Sequence, residues 1–176
     1  MHRLTLLALC AVSLFLSACG GPPASPGRFR DPAVPIWSNA VTDPAALRGR
    51  WTQVATFSTS GSVPCGPGTA DFQPGRGGVQ ARVKLCLNGG TASYRGPLAL
   101  TGPGRLQPVN RAAPPLDRPW WVLWVDVDVR SLVLGTPDGS FAVVLNRDAR
   151  LPPDRLQAAR DVLGWNGYDL SFLRAF

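Results

Sequence analysis

The stretch Leu47–Phe57, "LRGRWTQVATF", sets a glycine, an arginine and a tryptophan at the head of a short apolar and polar alternation. Alternation of this kind marks a strand with one buried face. A glycine at 49 lets the entering backbone approach a neighbour closely, and Trp51 brings a large apolar ring to the same place. Beyond it the chain runs in short apolar segments separated by Gly, Pro and Asn, the spacing of an all-β barrel or sandwich.

The clearest of these segments is 78–87, "GVQARVKLCL". Val79, Ala81, Val83, Leu85 and Leu87 fall on one face and Gln80, Arg82 and Lys84 on the other. Cys86 takes the polar parity, so a bridge from it to Cys65 is expected on the outside of the sheet. Further strands are predicted over 51–58, 69–73, 91–101, 105–109, 120–127, 130–135 and 140–146. With 78–87 they make eight. Pro137, Asp138 and Gly139 supply turn geometry for a hairpin between the last two. The run 119–129, "PWWVLWVDVDV", is apolar on both parities through Val125, and a strand buried on both faces needs cover outside as well as inside. The segment 152–167, "PPDRLQAARDVLGWNG", supplies that cover as a helix. Pro153 and Asp154 stand in its first turn, Leu156, Ala159, Val162 and Leu163 on one side, and Gly164 or Gly167 near its end. No repeat of solenoid period appears.

The chain begins with a basic start (His2, Arg3), an apolar run from Leu4 to Leu16, and small residues before Cys19. This is the pattern of a secretory signal spanning 1–18, since the apolar run falls short of the roughly 20 residues of a membrane span. Leu16-Ser17-Ala18-Cys19 resembles the lipobox of bacterial lipoproteins, which implies a diacylglycerol on Cys19 as the mature N-terminus. Gly20 in place of aspartate implies, by the same resemblance, sorting to the outer membrane, facing the periplasm. Ordinary cleavage leaving a free Cys19 is the alternative. Residues 20–35 follow, half of them Gly or Pro, a composition that excludes helix and central strand. The organisation expected is a signal peptide (1–18), a lipidated tether and N-terminal segment (19–46) with a reach of roughly 50 Å, and one folded domain (47–176). Within 36–46, Trp37 reads as a plug or rim residue and Thr42-Asp43-Pro44 as a turn or short helix start.

Cys10 leaves with the signal and Cys19 takes lipid, so Cys65 and Cys86 remain as one possible disulfide in an oxidising compartment, with two free thiols or a metal site as alternatives. A metal is disfavoured because the only histidine is His2. The formal charge is +7, nearly all arginine, with Lys84 the single lysine. Such a balance suits anionic head groups at a membrane surface, but a plainly solvated, arginine-rich surface accounts for it more simply. The arginines form no basic run interleaved with aromatics, which argues against nucleic acid. Catalysis has few groups to draw on. The chain has no glutamate, so acid–base work would fall to aspartates, of which Asp126 and Asp128 share a parity. No phosphate loop or zinc-ligand spacing is present, and no cofactor is expected.

Gly49-Arg50-Trp51 with "TQVATF" following, the strand, hairpin, strand and helix order of 120–173, and Arg147 after the last long strand together resemble the lipocalins, most closely their bacterial outer-membrane lipoprotein branch. Asp128 falls where that family's Thr-Asp-Tyr motif keeps its aspartate, with Val127 and Val129 as altered neighbours. The resemblance implies an all-β fold, an eight-stranded antiparallel up-and-down β-barrel with a C-terminal α-helix packed outside. It implies structural closure by Gly49, Trp51 and Arg147, the guanidinium lying across the indole. It further implies a non-enzymatic protein that binds a small hydrophobic or amphipathic molecule of the fatty-acid or lysophospholipid class for storage, transport or membrane maintenance. An eight-stranded barrel has room for side chains or one small ligand. The candidate lining is Val79, Ala81, Val83 and Leu85, with Phe57, Tyr94, Leu98 and Trp124. The alternative is an envelope interaction module whose lumen is filled by its own side chains, a reading that the short, proline-rich stretch 88–118 favours.

Overall fold

In a computed structural model the chain is described at residues 28–40, 43–63 and 65–176. The signal segment and Cys19 lie outside the described residues. A 3-10 turn, Pro44–Leu47, is started by the Asp43 carboxylate, which accepts from the Ala45 N–H at 2.7 Å. Eight strands follow: β1 Gly49–Phe57, β2 Thr69–Gly75, β3 Gly78–Leu87, β4 Gly90–Gly102, β5 Arg105–Pro108, β6 Trp120–Val125, β7 Ser131–Gly135 and β8 Ala142–Asn146. Each pairs antiparallel with the next, and β1 closes the ring, meeting β2 through Gly49–Thr52 and β8 through Thr52–Thr56. The expected barrel is therefore observed, with every strand within a few residues of its predicted span. Because the strands alternate in direction, the β1–β2, β3–β4, β5–β6 and β7–β8 connections share one end. The entry to β1 and the β6–β7 connection share the other.

Helix α1, Pro153–Trp165, packs outside the barrel as the apolar face of 152–167 requires, burying Ala159, Val162 and Leu163. A short strand β9, Leu173–Ala175, pairs with Ala55–Phe57 of β1 beyond the point where β2 ends. The outer layer also contains Phe29, Val54, Phe57, Leu123, Val133, Val144 and Tyr168. This explains why β6, β7 and β8 are apolar on both faces: one faces the lumen, the other the helix and the N-terminal segment.

That segment was not legible as structure. Residues 28–37 strap the barrel to the helix end, with Phe29 packed 5.5 Å from Phe57 and 5.7 Å from Phe172. The buried Arg30 guanidinium donates to the carbonyls of Val34, Pro137 (2.7 Å) and Asn166 (3.1 Å). Tyr168 joins the same layer. Its hydroxyl accepts from the Thr136 N–H at 2.8 Å and reaches the carbonyls of Thr136 and Phe141, while burial pushes its ionisation well above the ordinary range. Trp37 is 70 % exposed, so it rims the molecule and plugs nothing.

Two corrections share one cause. Phe57 and Trp124, expected as lining, stand an even number of residues after Trp51 and Trp120. The ladder shifts by one residue between Gln53 and Ala55 in β1, and between Val122 and Trp124 in β6. A bulge transfers every later side chain to the opposite face. Phe57 and Trp124 consequently lie in the outer layer. A third correction concerns Asp126 and Asp128. Strand β6 ends at Val125, so they sit in the turn before β7 and form no pair on a strand face. Asp126 is the working residue there, accepting from the N–H groups of Arg130 and Ser131, both at 2.6 Å, while Asp128 is exposed.

Candidate functional site

The entry end of the barrel is sealed as the glycine and tryptophan suggested. Trp51 is fully buried and its indole N–H donates to the Leu47 carbonyl at 2.9 Å, tying the ring to the 3-10 turn. The Arg147 guanidinium lies 3.6 Å from the centre of that ring. It also donates from Nε to the Val129 carbonyl (3.2 Å) and from Nη1 to the Arg50 carbonyl (3.1 Å). Burial lowers its pKa somewhat, but a guanidinium stays charged in a protein. Gly49 has φ +102°, and a Cβ there would stand 3.0 Å from Arg147 Nη1. Glycine at 49 thus serves two needs, a left-handed backbone and room for the cation.

The opposite end is closed by a second tryptophan that the alternation argument passed over. Trp120 is 0 % exposed, and its indole N–H donates to the Leu116 carbonyl at 3.0 Å. Tyr94 and Phe141 stand edge-on to it, with ring centres 5.7 Å and 6.1 Å away. Such edge-to-face contacts add about 0.5–1.5 kcal/mol each beyond burial. Both ends therefore use one device: a tryptophan at the head of a strand, bonded to the carbonyl of the leucine four residues earlier.

Between the two seals the lumen is apolar throughout. Val79, Ala81, Val83, Leu85, Tyr94 and Leu98, the candidates from the sequence, all line it. Phe72, Leu106, Trp120 and Phe141, which sequence reasoning missed as lining, join them. Among the described residues the one buried charged side chain, Arg30, lies outside the barrel, and the lumen residues are buried by one another, so the lumen is filled by its own side chains. The Tyr94 hydroxyl, its main polar group, is satisfied by the Pro97 carbonyl at 2.6 Å.

The disulfide Cys65–Cys86 is present, with Cα atoms 5.7 Å apart, on the parity that the strand pattern assigned to it. Its anchor is Gln53, a fully buried amide at the level where β2 has ended. Gln53 Oε1 accepts from the N–H groups of Cys86 (2.8 Å) and Gly68 (3.1 Å), and its Nε2 donates to the Cys86 carbonyl at 2.8 Å. The Thr56 hydroxyl donates to the same carbonyl at 2.8 Å. One side chain thereby does for β1 and β3 what the missing stretch of β2 would have done.

Among the described residues no group of three or more His, Cys, Asp or Glu is placed to hold a metal. No described helix is long and apolar enough to cross a membrane. Two connected grooves, of about 570 Å³ and about 270 Å³, lie on the outer wall of β1–β4 and share Asp71 and Arg82.

No family model matches the chain, and no curated protein matches it. Solved structures do. Lobster apocrustacyanin A1 superposes with a TM-score of 0.55 at 15 % identity, covering 81 % of this chain and 88 % of that one. Insecticyanin from the tobacco hornworm Manduca sexta gives 0.55 at 15 % identity, over 80 % and 83 % of the two chains. The siderocalin Ex-FABP, described as functioning through dual ligand specificities, gives 0.52 at 13 % identity, over 74 % and 93 %. A closed eight-stranded antiparallel barrel, one C-terminal helix outside it, and these neighbours together establish that the chain has the lipocalin fold.

Proposed function

We propose that the protein binds one small hydrophobic or amphipathic molecule inside the barrel and performs no catalysis. The observation that carries this reading is the lumen, lined from Trp51 to Trp120 by apolar side chains with no charged group among them. Once its seal opens, such a lumen presents the apolar wall with few polar groups that small-molecule sites share. The fold relatives are consistent with it, Ex-FABP being described by its ligand specificities. The ligand class proposed is a fatty acid or lysophospholipid, whose chain suits a narrow lumen. The site of action proposed is the outer membrane, facing the periplasm, with the barrel held by acyl chains on Cys19.

In this reading the closed lumen calls for an opening step. A ligand takes the place of the aromatic seal: Trp120, held by Leu116, swings out with the β5–β6 connection while the Trp51 end stays shut. The sulfur bridge and the Arg147 closure are at other places in the wall and need not move. A second reading, a barrel that takes no ligand and serves as an interaction module, has its own observation in the complete burial of Phe72, Leu98, Leu106 and Trp120.

Titration of delipidated protein with a long-chain fatty acid and with a lysophospholipid, followed by tryptophan emission, separates the two. Saturable change at one ligand per chain, weakened by Val83→Trp in a variant shown to fold, supports the ligand reading. Absence of any change with either lipid, in wild type and in a Trp120→Ala variant with its seal removed, supports the filled barrel.

A further inference from the structure

The wall of the barrel that the helix leaves bare has a charge distribution unlike the rest of the molecule. Strands β1–β4 with their connections, residues 49–102, carry Arg50, Arg76, Arg82, Lys84 and Arg95 against a single acid, Asp71; the other ten aspartates lie elsewhere. Composition alone showed only scattered arginines. The register gathers them. Arg50 pairs with Asp71, Asp71 with Arg82, and Arg82 with Arg95, so four charged residues form one row across four adjacent strands. At the usual strand separation the row spans about 14 Å. Lys84 stands two residues along β3 on the same outward parity.

Three features set this row apart from a merely solvated surface. Arg82 and Arg95 are direct cross-strand partners, and like charges opposite one another destabilise a sheet. Among the described residues, the side chains of Arg50, Arg82, Lys84 and Arg95 take part in no salt bridge, so their charge is open to an external anion. Asp71, between Arg50 and Arg82, is one anion against four cations, and its carboxylate forms no salt bridge with them, accepting instead from the Gln73 amide at 2.8 Å. Finally, the row forms the floor of the two connected grooves, where Gln73, Gln80 and Asn110 add neutral donors around the guanidinium groups.

We propose that this outer wall of β1–β4 is a docking face for the phosphate head groups of an anionic lipid bilayer. Arg82 and Arg95 form its centre, and Arg50 and Lys84 widen it. Guanidinium groups suit phosphate by geometry as well as charge. Each cation near an anionic surface strengthens partition about fivefold. This face acts separately from the lumen and from any acyl anchor, so it survives the failure of either part of the proposed function.

The test uses the chain from Gly20 onward, without acyl groups, since both apolar clusters are complete between Phe29 and Leu173. It is co-sedimented with vesicles of phosphatidylcholine, alone or with one third phosphatidylglycerol. Binding is expected only to the anionic vesicles, falling at high salt as surface charges are screened. Arg82→Gln with Arg95→Gln should lower partition roughly 25-fold, while Asp71→Asn should raise it, a gain that misfolding cannot mimic. Arg28→Gln with Arg150→Gln, two exposed arginines elsewhere, should leave it unchanged. Equal binding to neutral vesicles, no binding to either, or equal loss from the row and control pairs would each overturn the proposal. Retention of binding in the row variant would also overturn it.

Discussion

Replacing Gly49 by alanine probes the barrel's closed end at its tightest point. The native φ of +102° is one that an L side chain resists; left-handed backbone costs an alanine about 1–2 kcal/mol. The new Cβ would stand 3.0 Å from Arg147 Nη1, so the guanidinium must shift. That weakens its contact with the Trp51 ring, a stacking worth about 0.5–1 kcal/mol at a partly exposed site. It also strains the bond to the Arg50 carbonyl. Against these stands a gain of about 0.4–1 kcal/mol from the stiffer unfolded chain. The net loss expected is about 2 kcal/mol, or roughly 4–8 °C in Tm. The informative assay is a double-mutant cycle by urea unfolding with Arg147→Ala. Removing Arg147 makes room for the Cβ, so Gly49→Ala should cost about 1 kcal/mol less in that background. Strict additivity would refute the contact, and a loss below about 0.5 kcal/mol would refute the backbone argument as well.

Gln53→Leu keeps the volume but leaves the N–H groups of Cys86 and Gly68 buried without partners. At about 1–3 kcal/mol each, the variant should lose about 2–6 kcal/mol by urea unfolding, whereas a loss under about 1 kcal/mol would contradict the bridging role. Converting both Cys65 and Cys86 to serine opens a loop with a sequence separation of 21 residues and should cost about 3 kcal/mol, read as a matching fall in the stability of wild type under reduction. For Asp138, burial opposes ionisation, but hydrogen bonds from Ser140 and Thr136 and the charge of Arg118 outweigh it and hold the carboxyl below its ordinary pKa. A lowered carboxylate contributes stability above the unfolded pKa of about 3.9 and loses it as pH falls through the folded value. Asp138→Asn should therefore be less stable than wild type at neutral pH, with the gap closing below about pH 4; a gap that widens on acidification would reverse the assignment.

The sequence was legible wherever its pattern was local and unbroken. In β3 ten residues alternate without interruption, and Val79, Ala81, Val83 and Leu85 all point into the barrel while Cys86 takes the outer parity. Counting failed beyond a bulge, since the extra residue in β1 and in β6 carries no glycine to announce it. That single count separates Phe57 and Trp124 from the lumen. Gln53 was invisible for another reason: its three bonds exist because β2 stops at Thr69, a fact about pairing partners that no residue of β1 records. The second seal did leave a trace, because Leu116 stands four residues before Trp120 as Leu47 does before Trp51. The apolar density of 120–125 hid which of its residues faced inward. The basic row was hidden in the same way, since its members are far apart in sequence and only the strand register aligns them.

Native mass spectrometry of the full chain, expressed in a bacterium that processes lipoproteins and extracted in a mild detergent, tests the central claim most directly. The account predicts a single fatty acid or lysophospholipid retained per chain, released when the barrel is unfolded, in addition to any covalent acyl mass on Cys19. A bare chain mass, together with failure to take up either lipid after the Trp120→Ala change, would contradict it.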